Sequence, residues 1–125
     1  MADRSFLNWP FFEDRHRELA AELQAWAGKE LAAVDHSDTD ATCRQIVTML
    51  GQAGFLTHSA VDPQAGTGLD VRSLCLIRET LARHDGLADF AFAMQGLGTG
   101  ALSLFGGIGA RVLFLLQGKA KTPRY

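Results

Sequence analysis

The sequence predicts an all-α domain on three grounds. Apolar residues recur at the helical period through most of the chain, and the two-residue alternation of β-strands is almost absent. Acidic residues stand where helix N-caps belong, at Asp38, Asp40 and Asp70. At 125 residues, 47% hydrophobic and 21% charged, the chain has the size and composition of one globular domain with its own core. The expected architecture is an antiparallel helical bundle with short connections.

The first helix is expected to begin near Pro10, a residue tolerated in a first turn. Phe12, Leu19, Leu23, Trp26 and Leu31 mark its buried face, and Glu13 and Arg17 form an i,i+4 pair on its wet side. Glu13, Asp14, Glu18 and Glu22 together read as a solvated face. Residues 33–40 read as a polar loop. Asp38 or Asp40 then caps a second helix with the stripe Cys43, Ile46, Val47 and Leu50, which ends around Gly51 and Gly54. Residues 55–68 read as a loop. The third helix opens at Asp70 and runs to about His84, with Leu74, Ile77 and Leu81 inside, Val71 and Cys75 beside them, and Arg72, Glu79 and Arg83 on the opposite face. Asp85-Gly86 makes a turn, and a fourth helix runs from Leu87 towards Gln95.

Residues 90–110 contain no charge and are rich in glycine. A membrane span needs about 20 apolar residues, and Gly96 and Gly100 have the spacing of a helix-pairing motif. Gln95, Thr99, Ser103 and the glycines make the run only modestly hydrophobic, which counts against a span. Residues 96–101 match G-x-G-x-x-A, the dinucleotide fingerprint, which needs a strand before it and an acid about twenty residues after it. The preceding segment is helical in pattern, and no acid follows Asp89. Two readings remain: glycines that let buried helices pack closely, which composition favours, or glycines that let backbone approach a ligand in an apolar pocket.

Residues 70–106, D-V-R-S-L-C-L-I-R-E-T-L-A-R-H-D-G-L-A-D-F-A-F-A-M-Q-G-L-G-T-G-A-L-S-L-F-G, resemble the N-terminal helical domain of acyl-CoA dehydrogenases. F-F-E-D-R-H-R-E-L-A-A-E-L-Q-A-W, at 11–26, is similar to that domain's first helix, and C-R-Q-I-V-T-M-L-G-Q-A-G-F-L, at 43–56, to its second helix and turn. The resemblance implies a domain over residues 6–111, and the short basic tail at 112–125, with Lys119, Lys121 and Arg124, is expected to fall outside the family sequence. In the family, a β-barrel and a four-helix bundle follow, FAD lies between them, and an acyl-CoA thioester is oxidised to the 2,3-enoyl-CoA. A glutamate removes the α-proton while flavin N5 takes the hydride. By position in the motif, Met94, Gln95, Leu97, Gly98 and Thr99 are implied to lie near the acyl tail, where a helix end and turn would form one wall of the pocket. The family's A-x-x-x-T/S-E-P-x-x-G-S-D flavin-contact segment does not follow Gly106. The expectation is therefore a fragment that lacks the flavin site and the catalytic base, and is inactive alone.

No catalytic, cofactor or metal residue is expected within the chain itself. His16, His36, His58 and His84 are scattered and read as surface or capping residues, Cys43 and Cys75 as buried thiols, and Ser73 and Ser103 as ordinary serines. A net charge of −2 gives no reason to expect nucleic acid. The N-terminus has no apolar core of signal-peptide length, which suits the cytoplasm. The full-length family implies a homo-oligomer. The alternative function is a stand-alone helical module that self-associates or docks on a separate subunit through exposed apolar surface. A membrane anchor through residues 90–110 is the third reading.

Overall fold

The structure is a computed structural model, and it describes residues 3–61 and 68–105. Four α-helices form it: α1 (Asp14–Glu30), α2 (Thr39–Gln52), α3 (Val71–His84) and α4 (Gly86–Phe105). Short 3₁₀ turns stand at Ser5–Asn8, Leu31–Ala33 and Phe55–Ser59, and no strand occurs among the described residues. The all-α bundle is the predicted class. α1 packs on α3, α3 on α4, and α4 on α2 and the Phe55–Ser59 turn. Their common core contains Leu19, Leu23 and Ala27 from α1, Ile46 and Leu50 from α2, and Phe55. Ile77 and Leu81 from α3, with Ala88, Ala91 and Phe92 from α4, complete it.

α1 starts four residues later than its proline suggests. Its N-cap is Glu13, and the His16 ring reaches back so that Nδ1 accepts the Glu13 N–H at 3.0 Å. Pro10 and Phe11 lie exposed in the segment that leads in. Arginines tie that segment down through main-chain carbonyls: Arg17 donates to Leu7 O, Arg4 to Ala20 O and Arg72 to Phe11 O. The expected Glu13–Arg17 pair is not formed. Arg17 pairs with Asp14, and Glu13 with Arg15 and Arg72.

α2 opens at Asp38, whose carboxylate accepts the Ala41 N–H at 3.1 Å. It closes before Gly54, whose φ of +85° is a left-handed conformation that a side chain disfavours. The chain after it was expected to be loop, but residues 55–59 coil into the 3₁₀ turn and drive Phe55 into the core against Trp26, ring centroids 5.3 Å apart. Residues 62–67 of that expected loop lie outside the described residues.

α3 keeps its expected bounds, with Asp70 accepting the Arg72 N–H, but its inner face is rotated. Ser73, Leu76, Ile77, Thr80 and Leu81 are buried, while Val71 and Cys75 are exposed and Cys43 is half-buried. The helix is clasped by α1 on one side and α4 on the other, so small polar residues take places that an apolar stripe would predict for others. α4 continues through Gly96, Gly98 and Gly100 to Phe105, ten residues beyond Gln95. Glycine costs a helix about 1 kcal/mol relative to alanine. Burial of Ala88, Ala91, Phe92 and Ser103 offsets that cost. Residues 94–99 are thus mid-helix, and no helix end or turn is found there. The rest of the uncharged run and the basic tail fall outside the described residues.

Candidate functional site

The flank of α4 that turns towards α3 and the Phe55–Ser59 turn carries an open groove of about 230 Å³. At 100° per residue, Phe92, Ala93, Gly96, Leu97, Gly100, Ser103 and Leu104 fall on one side of the helix, and they form its floor. Ser59, Val61, Leu69, Leu74 and Arg78 form the opposite wall. Gly96 and Gly100 make the floor low. A Cβ at Gly96 would touch Ser59 Cβ at 3.8 Å, and one at Gly100 would meet nothing within 4 Å.

The polar groups in this groove are turned away from a guest. Ser59 Oγ donates to Leu56 O at 2.7 Å and Ser103 Oγ to Gly100 O at 3.1 Å. Arg78 is the charged member of the wall, and Asp89 holds it with two parallel bonds of 2.8 and 2.9 Å. What the groove offers is mainly methyl, methylene and ring surface, the chemistry of an aliphatic chain. Enclosed ligand sites measure about 300–1,000 Å³, so an open groove of this size suits one wall of a site.

Of the five residues expected beside an acyl tail, Leu97 lines the groove. Met94 and Gly98 are exposed on the outer side of α4, and Gln95 and Thr99 are half-buried, the Thr99 hydroxyl donating to Gln95 O. Six consecutive positions of a helix cannot share one face, so the structure does not bring the five together. Phe92, Gly96 and Gly100 are the groove residues that the sequence did not single out. Their signal was available as an i, i+4, i+8 series once α4 is taken as continuous. Away from the groove α4 exposes Phe90, Met94, Leu102 and Phe105, the last at 86%, and Leu97 is exposed at the groove itself.

The other concentration of chemistry lies where α1 and α3 begin. His16 is fully buried, and its Nε2 is 2.9 Å from Asp70 Oδ2. Because Nδ1 already accepts from Glu13 N–H, Nε2 carries the proton and donates to Asp70. Ser73 Oγ and Arg15 also donate to Asp70 Oδ2, at 2.8 and 2.7 Å. Desolvation pushes the Asp70 carboxyl up, but the bonds from Ser73, His16 and Arg15 outweigh it and hold the group well below the usual carboxylate range. Glu13, held by Arg15 and then Arg72, is lowered to about 2. So Glu13 is solvated as expected and also bridges two helices. His16 caps as expected but is interior, not superficial. Its partner lies 54 residues away, which local reading could not find. This node has the parts of a catalytic cluster without the order: the carboxylate sits between hydroxyl and imidazole, and every donor is engaged with it.

His58 is half-buried and lowered by desolvation, His84 bonds Gln24, and His36 bonds Asp85. Among the described residues no three His, Cys, Asp or Glu side chains group as metal ligands, and no helix is long and apolar enough to cross a membrane. A flavin diphosphate takes a cradle of free backbone N–H groups. Here the N-termini of α1, α2, α3 and α4 carry the acidic residues Glu13, Asp38, Asp70 and Asp85, and the N–H groups of Gly96, Gly98 and Gly100 lie inside a helix. The described residues do not fit that group.

Residues 13–111 match the sequence pattern of the family described as "Acyl-CoA dehydrogenase, N-terminal domain". The protein named "Probable acyl-CoA dehydrogenase fadE25" from Mycobacterium leprae (strain TN) is 32% identical over 96 residues. That alignment takes in 74% of this chain and 24% of the relative, so the chain spans about a quarter of the relative's length.

Proposed function

Since the chain belongs to the acyl-CoA dehydrogenase family, whose N-terminal domain it matches, we propose that its α4 groove is one wall of an acyl pocket. In this reading the chain serves an FAD-dependent oxidation of an acyl-CoA thioester to the 2,3-enoyl-CoA by shaping the space for the tail. The observation that carries it is the apolar groove on α4, inside the matched residues, with its serines turned to their own backbone. Leu97 is the best-supported tail contact. Met94 and Gly98 would take part where other domains meet the outer side of α4, and Gln95 and Thr99 would act from its half-buried flank.

The domain extends over residues 6–111 in this reading, with 112–125 a basic tail, in a water-soluble protein of the cytoplasm whose full-length form is a homo-oligomer. The chain alone neither binds FAD nor turns over. The acidic residues at the starts of its helices, which disfavour a flavin diphosphate, support that reading. Calorimetric titration with acyl-CoAs of increasing tail length tests the groove. Affinity should rise with the tail, and an affinity independent of tail length, or none at all, sinks the reading. With added FAD, octanoyl-CoA and an electron-accepting dye, reduction above the blank would overturn the inactivity.

A second reading, a helical module that associates with itself, is favoured by the exposed Phe90, Met94, Leu97, Leu102 and Phe105. Light scattering across a concentration series decides it: a monomer at every concentration removes it.

A further inference from the structure

The one-residue elbow between α3 and α4 holds a carboxylate that has no use for a neutral neighbour. Asp85 has a side chain only 8% exposed. Its Oδ1 accepts the N–H groups of Leu87 and Ala88 at 2.8 and 3.3 Å, which caps α4. Its Oδ2 is 2.7 Å from Nε2 of His36, on the loop between α1 and α2. The other ring nitrogen of His36, Nδ1, is 3.0 Å from Val34 O. Both nitrogens therefore face acceptors. A neutral imidazole has one N–H and one lone pair. Either tautomer would set a lone pair against a carbonyl or a carboxylate, whereas the imidazolium donates to both.

We infer that protonated His36 is a clamp that fastens the α1–α2 loop to the elbow of α3 and α4, and that losing this proton releases it. The proton comes from solvent and returns to it, and no other bond changes. Asp85 faces the ring from the elbow and Asp35 lies beside it in the loop, and both are acidic. On the last turn of α3, Arg83 is paired with Glu79 and His84 with Gln24, which leaves Asp85 Oδ2 to His36. The Asp85 bond raises the ring above the ordinary histidine value of 6.5, consistent with the geometry. With the folded value raised, the clamp is fully formed below the unfolded value and is lost as pH climbs through the folded one. The helix whose start it steadies is α4, the helix that floors the groove. The inference stands independently of any ligand for that groove.

Two measurements on the whole chain test it, with His36→Gln, a neutral substitute in an exposed loop, as the comparison. Nitrogen NMR should find both ring nitrogens of His36 protonated at about pH 6 and should place its titration above that of an unstructured histidine. Amide exchange at Leu87 and Ala88, taken relative to Arg72 at the separate Asp70 cap, should rise about two- to fivefold from about pH 6 to about pH 9. In His36→Gln that ratio should be high and independent of pH. A ring that is neutral at about pH 6, or a Leu87-to-Arg72 ratio that follows the same course in both proteins, overturns the clamp.

Discussion

Replacing Asp70 by alanine tests the joint between α1 and α3 where the structure makes it tightest. The Arg72 N–H loses its cap acceptor, a change that costs about 0.5–2 kcal/mol in other helices. The Nε2–H of His16, in a ring with no exposed surface, loses its acceptor, and a buried donor without a partner costs about 1–3 kcal/mol. The Arg15 pair is half-exposed and adds at most about 1 kcal/mol. The buried Ser73 hydroxyl loses its acceptor as well, but these costs overlap, since one carboxylate serves all four donors, so the expected loss is roughly 2–4 kcal/mol. That is a large part of the ~5–15 kcal/mol that holds a domain folded. Urea unfolding followed by circular dichroism near neutral pH reads it directly, with an unchanged slope and a midpoint lower by about 1–2 M. Asp70→Asn keeps a cap oxygen and should lose about half as much. An alanine variant within about 0.5 kcal/mol of the parent would refute the account of His16 and Asp70 as one buried joint. Asparagine as costly as alanine would show that charge, not geometry, carries the joint.

The same carboxylates set the response to acid. Asp70 is held below its ordinary 3.8 and Glu13 below its ordinary 4.5, at about 2. Groups lowered by folding contribute stability at pH above their unfolded values and lose it as pH falls through the folded ones. The parent should therefore weaken steadily below about pH 4, and Asp70→Ala should show a shallower acid slope. Two glycine substitutions should act with opposite signs. Gly54→Ala forces a side chain into a left-handed conformation and should lower stability by about 1–2 kcal/mol. Gly98→Ala places its Cβ where nothing lies within 4 Å and should raise stability by about 0.5–1 kcal/mol. Thermal melts of the two variants beside the parent check both, and a stabilising Gly54→Ala or a destabilising Gly98→Ala would contradict the local geometry.

Where a helix is defined by chemistry within a few residues, the sequence was readable. Asp38 and Asp70 cap α2 and α3 as expected, and Gly54 supplies the left-handed residue after α2. Reading failed where a distant partner decides. Glu13 and His16 fix the start of α1 in concert with Arg72 and Asp70 of α3, so Pro10 was a misleading marker. Phe55 looked like loop because no period runs through residues 55–59, yet contact with Trp26 buries it. The inner face of α3 was displaced by two neighbours packing at once, which hides Ser73 and Thr80. On α4 the glycines suggested an end, and burial of Ala91 and Phe92 carried the helix past them. That misplaced end is why the groove, a surface of a continuous helix, was only partly visible through Leu97.

The acids at the helix ends bear on how this protein meets its solution. Asp70, Asp85 and Asp89 are bound to neighbouring groups, and Glu13 joins two arginines from different helices. Much of the ionic character is thus held in short-range pairs within and between helices, many of them half-exposed, while the small net charge of −2 sets the weak field felt at a distance. Screening that shrinks from about 8 Å at physiological ionic strength to about 3 Å at 1 M salt comes down to the length of such pairs only at the upper end. Ionic strength therefore damps the long-range approach of a charged molecule first, and the contact pairs that hold α1 to α3 yield only at far higher salt.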